Sequence, residues 1–150
     1  MKKVFFLKRL ILSLFLVSIF ASCDKDDAET EKIIGSWKPI SLYVFVSLNG
    51  ETTHQGINLS DDNTLIIFQS DRRLIEYSVD KNEATFQGVY TVTGSTLIVD
   101  EYSTFFCGGG RGKTNLFFIK ELTSDKLVLH SNWKDAGVDY QTEITLKKAR

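Results

Sequence analysis

From Gly35 to the C-terminus the chain is a succession of short runs rich in Val, Ile, Leu, Thr, Phe and Tyr, and no stretch repeats its apolar residues at the helical period. The runs cover residues 37–48, 64–69, 74–79, 85–92, 96–101, 115–122, 126–133 and 138–147. Polar turn residues separate them: Asn49-Gly50, Ser70-Asp71-Arg72, Asp80-Lys81-Asn82-Glu83, Thr93-Gly94-Ser95, Thr123-Ser124-Asp125 and Lys134-Asp135-Ala136-Gly137. Connections this short join antiparallel neighbours, because a parallel crossover needs about a dozen residues or more. The longest early gap, residues 49–63, has room for a ninth short strand or a lid.

Alternation shows which faces are buried. Val138, Tyr140, Thr142, Ile144 and Leu146 alternate with polar residues, as do Phe86, Gly88, Tyr90 and Val92 with Gln87, Val89 and Thr91. The runs Leu116-Phe117-Phe118-Ile119 and 40–46 are apolar on both faces, which calls for a second layer or a partner surface. Pro39 lacks an amide hydrogen and marks an edge or bulge. Eight antiparallel strands leave two free edges unless the sheet closes, so the pattern predicts an all-β, up-and-down barrel of about eight strands, with a β-sandwich as the alternative.

The first residues have another purpose. Lys2, Lys3, Lys8 and Arg9 precede the apolar run 10–20, and Ala21-Ser22 lead to Cys23: the layout of a secretory signal peptide, too short for a spanning helix. Phe20-Ala21-Ser22-Cys23 resembles a bacterial lipobox, which implies a signal peptide over 1–22, diacylglycerol on the Cys23 thiol, and palmitate-type acylation of its amine. Residues 23–32 then read as a charged, solvated tether, and 33–150 as the barrel domain. Several acyl chains hold a bilayer firmly, at about 0.8 kcal/mol per buried methylene. Lys25-Asp26-Asp27 is similar to the export signal of surface lipoproteins in some Gram-negative anaerobes. The expected location is therefore the outer membrane, lipid-anchored and at the cell surface. Removing the four leader cations from the 18 basic side chains leaves 14 against 19 acidic ones, a balance that disfavours nucleic acid as a partner. With Cys23 lipidated, Cys107 stands alone and no disulfide forms.

Ile33-Ile34-Gly35-Ser36-Trp37-Lys38 resembles the Gly-x-Trp motif that opens lipocalin and calycin barrels. Gly88-Val89-Tyr90-Thr91-Val92 with Thr96-Leu97-Ile98-Val99 is similar to their Gly-x-Tyr hairpin, residues 119–129 to their penultimate hairpin, and Glu143-Ile144-Thr145-Leu146-Lys147-Lys148 to their closing strand. The resemblance spans residues 33–148 and implies a lipocalin-like lipoprotein with a cavity but no fixed ligand. It implies that Trp37 closes one barrel end beneath a basic side chain, for which Lys147, Lys148 and Arg150 are candidates.

Signs of catalysis are sparse. Cys107-Gly108-Gly109-Gly110-Arg111-Gly112-Lys113-Thr114 nearly spells a P-loop, but a strand follows where a helix is needed, so it reads as a hairpin loop. His54 and His130 lack triad or metal-ligand spacing, and Asp61-Asp62-Asn63 lacks the calcium-loop pattern. The expectation is a binding protein without catalytic residues, metal or cofactor. Its ligand is small and mainly apolar, contacted by Trp37, Tyr90 and Tyr140 of the barrel and by Tyr102, Phe105 and Phe106 beside the glycine loop. The alternative is a protein partner or inhibitory target on the outer barrel face.

Overall fold

The computed structural model describes residues 24–61, 63–100 and 115–150. The leader, Cys23, Asp62 and the glycine loop with Tyr102, Phe105, Phe106 and Cys107 lie outside the described residues.

The segment read as a solvated tether is a helix, α1, over Asp24–Ile33. Ala28, Glu29, Glu31 and Lys32 favour helix. Asp24, Asp26 and Asp27 stand at its positive end, and Lys32 lies in the last turn, where the carbonyls favour a cation. Gly35 turns the chain away at φ 124°, a backbone conformation that a side chain rarely permits. The helix is not detached from the fold, because Ile33 is fully buried in the core.

Nine strands follow: β1 (Gly35–Leu48), β2 (Glu51–Asn58), β3 (Thr64–Phe68), β4 (Arg73–Ser78), β5 (Glu83–Thr93), β6 (Thr96–Asp100), β7 (Asn115–Leu122), β8 (Lys126–Asp135) and β9 (Val138–Lys148). Every neighbouring pair is antiparallel, and β9 returns to β1, so β1 and β3 to β9 close an eight-stranded up-and-down barrel. The sandwich alternative is excluded by that closure. Residues 49–63 hold the ninth strand, β2, joined to β1 through Asn49 (φ 53°) and Gly50 (φ 85°), the conformation of a two-residue type I′ hairpin.

β1 is where the wall divides. On one side it pairs with β9 from Trp37 to Ser47, with a register shift between Pro39 and Ser41 at the bulge expected of proline. On the other side β3 pairs only with Gly35, Ser36 and Trp37, and from Ser41 onward β2 takes its place. Nothing among the described residues pairs with the far edge of β2. The barrel is thus closed at the Trp37 end, here the lower end, and split towards the hairpin tips at the upper end.

The lower half is filled. Ile33, Trp37, Ile66, Phe68, Leu74, Tyr90, Val92, Leu97, Val99, Phe117, Leu127, Leu129, Ile144 and Leu146 form one buried cluster, with Leu42, Ile119 and Leu122 packed against it. Burying this apolar surface, at roughly 25 cal/mol per Å², is what holds the barrel together.

Candidate functional site

The lower end is a plug. The Trp37 indole is fully buried and donates from Nε1 to the Ile33 carbonyl at 2.7 Å, joining α1 to β1. Of the three candidate cations, Lys148 covers it: its Nζ lies 4.3 Å from the ring centroid and also donates to the Ile34 carbonyl at 2.5 Å. Burial holds the Lys148 ammonium below the ordinary lysine value; the aromatic face and the carbonyl offset part of that desolvation. Tyr90 belongs to the same packed interior. Its hydroxyl donates to the Gln69 carbonyl at 2.7 Å, its ring meets Phe68 edge-on at 5.0 Å, and burial raises its pKa.

The upper end is different. Directly paired residues of an antiparallel ladder share a face, so register gives the inward rows across β8, β9, β1 and β2. Leu129–Ile144–Leu42–Ile57 continues the core. Above it runs Ser131–Thr142–Val44–Gln55, and above that Trp133–Tyr140–Val46–Thr53. Ser131 and Thr142 are buried, so a polar belt separates the filled core from an apolar wall above. Glu76, inward on β4, is the third buried polar side chain among the described residues. Trp133 and Tyr140 stack with centroids 5.2 Å apart and planes 5° from parallel. On this inward face Leu48, next to the hairpin turn, is 50% exposed, and Ile57, on the core row, is 39% exposed.

Open space lies against this wall. One cleft of about 500 Å³ is bounded by Val46, Leu48, Asn49, Glu51 and Thr53, and another of about 400 Å³ by Val44, Val46, Thr53, His54 and Gln55. A third, of about 520 Å³, crosses the upper ends of the same strands; Phe45, Lys134 and Gln141 line it from the outward face and Trp133 and Tyr140 from the inward one.

The expected ligand contacts therefore separate. Trp37 and Tyr90 are core, and only Tyr140 among the described candidates borders a cleft. Tyr102, Phe105 and Phe106 lie outside the described residues. Trp133 and the β2 side of the wall were not anticipated. The alternation Leu127, Leu129, Ser131, Trp133 would have placed Trp133 inward, whereas β2, Glu-Thr-Thr-His-Gln-Gly-Ile-Asn, carries no apolar periodicity at all.

The outer face carries its own apolar area. Phe117 points into the core, while Leu116 and Phe118 point out, 54% and 47% exposed. Ile98 stands beside Leu116, and exposed Val89 lies on the next strand.

Compared with protein-family models and with curated proteins, the chain matches none. The class that the geometry itself defines is an all-β, eight-stranded antiparallel barrel of calycin-like architecture, closed at one end.

Proposed function

We propose that this chain is a lipocalin-like lipoprotein, tethered through Cys23 to the outer membrane at the cell surface, that holds a small, mainly apolar molecule against the upper inner wall. The observation that carries this reading is the combination of a filled lower half with clefts of about 400 and 500 Å³ against Val44, Val46 and Leu48. Binding sites are typically about 300–1,000 Å³, apolar, with a few polar groups that fix orientation. Thr53, Ser131 and Thr142 stand on the same rows to supply them. The reading is of binding without catalysis.

Titration of residues 24–150 with an anilinonaphthalene fluorophore tests it. A saturable emission rise is expected, and Val46→Asp, which sets a charge in the apolar row, weakens it at least about tenfold. Binding indifferent to Val46→Asp would contradict the site. A second reading, a protein partner on the outer face, is favoured by one observation, the exposed Leu116 and Phe118 beside Ile98. If fluorophore binding were lost in Leu116→Asp and unchanged in Val46→Asp, that second reading would stand instead.

A further inference from the structure

We propose that the free edge of β2 is a self-association surface, on which a second copy of this chain adds its own β2 antiparallel. Folded proteins normally protect such an edge with lysine, proline, a bulge or a cover, because its unpaired amides and carbonyls template another strand. Among the described residues β2 has none of these. All eight residues, Glu51–Asn58, are exposed, its ladder with β1 runs without a register shift, and only Glu51, at its tip, carries a formal charge.

The register follows from the hairpin. Leu48 and Glu51 flank a two-residue turn and form a hydrogen-bonded pair, and the Leu59 amide donates to the Ile40 carbonyl at 2.8 Å in the same phase. Glu51, Thr53, Gln55 and Ile57 therefore spend their backbone groups on β1, and Thr52, His54, Gly56 and Asn58 present theirs at the free edge.

Two antiparallel copies of one strand are related by a two-fold axis perpendicular to the sheet, so facing residues come from the same face. Centring the axis on Gln55 places Thr52 opposite Asn58, His54 opposite Gly56, and Thr53 opposite Ile57, with Gln55 facing Gln55 of the other copy. Four pairs then exchange roughly eight backbone hydrogen bonds. No like charges meet, because Glu51 falls beyond the paired segment. The half-exposed Ile57 gains a cross-strand neighbour, and the β8–β9–β1–β2 sheet continues into the second copy. A foreign extended peptide would use the same donors and acceptors. The self-pairing is favoured by this charge-free match of β2 to itself.

Co-expression of the full-length chain with two different tags, mild detergent extraction and capture through one tag tests this. The native chain is expected to retain its other-tagged copy. Gln55→Lys paired with itself, or Gln55→Glu paired with itself, sets like charges on the axis and reduces co-capture severalfold. Gln55→Lys with Gln55→Glu restores it, which a misfolded variant cannot do. Absence of co-capture for the native chain overturns the proposal and leaves the edge to a foreign strand. Undiminished co-capture in the like-charged pairs overturns it in favour of another interface.

Discussion

Replacing Trp37 probes the lower plug most sharply. The side chain is fully buried, so truncation to Ala removes a large aromatic from a packed core, which costs about 3–5 kcal/mol. The Ile33 carbonyl also loses its 2.7 Å donor, adding about 1 kcal/mol. Trp37→Phe keeps much of the volume but not the donor, and should cost about 1–2 kcal/mol. Lys148 supplies a second handle, with its Nζ 4.3 Å from the ring centroid. In a double-mutant cycle, Trp37→Leu and Lys148→Met should couple by about 0.5–1 kcal/mol. The pH dependence has a defined sign. Burial lowers the Lys148 pKa from 10.5, so between the lowered value and 10.5 the unfolded chain binds more protons than the native one. Stability relative to Lys148→Met should therefore rise with pH across that window, and be lowest below it. Urea unfolding of residues 24–150, followed by far-ultraviolet circular dichroism, reads all of these. A Trp37→Ala cost below about 1 kcal/mol, or Trp37 emission open to aqueous quenchers, would refute the plug.

Other expectations rest on single contacts. Tyr90→Phe should cost about 1 kcal/mol at neutral pH through the lost bond to the Gln69 carbonyl. Because burial raises the Tyr90 pKa above 10.0, native stability should fall as pH rises past 10.0, and fall less in Tyr90→Phe; equal alkaline slopes would contradict this. Ala136 sits at φ 47° in the tip between β8 and β9, where a Cβ is strained, so Ala136→Asn should stabilise by roughly 0.5–1 kcal/mol in the same unfolding assay. A Cβ on Gly56 would lie 2.7 Å from Tyr43 Cε1, so Gly56→Ala should destabilise by about 1 kcal/mol in the native chain and by much less beside Tyr43→Ala, as melting of the four variants would show.

The strands were legible because each is bracketed by turn residues and most carry period-two or continuous apolar patterns. β2 was only an open possibility, since its eight exposed residues bury nothing that would print a pattern. The helix α1 was hidden by its own acids: Asp24, Asp26 and Asp27 suit both a solvated linker and a helix N-terminus, and only the burial of Ile33 decides. Parity would have chosen Lys148 over Lys147, since Lys148 shares its face with Leu146 and Ile144. Trp37 and Tyr90 both lie in the core at the lower end, and alternation does not say where along a strand the filling stops. That depends on β3 meeting β1 at only three residues, a register that local sequence does not encode.

Under the proposed function the upper inner wall, and not the core or the outer face, receives the ligand. Methyl nuclear magnetic resonance of residues 24–150, titrated with a long-chain fatty acid, tests it most directly. The methyls of Val44, Val46 and Leu48 should shift together along one saturation curve, while those of Leu127 and Leu146 stay fixed. Shifts confined to Ile98 and Leu116, or no saturable shift at the wall, would contradict it.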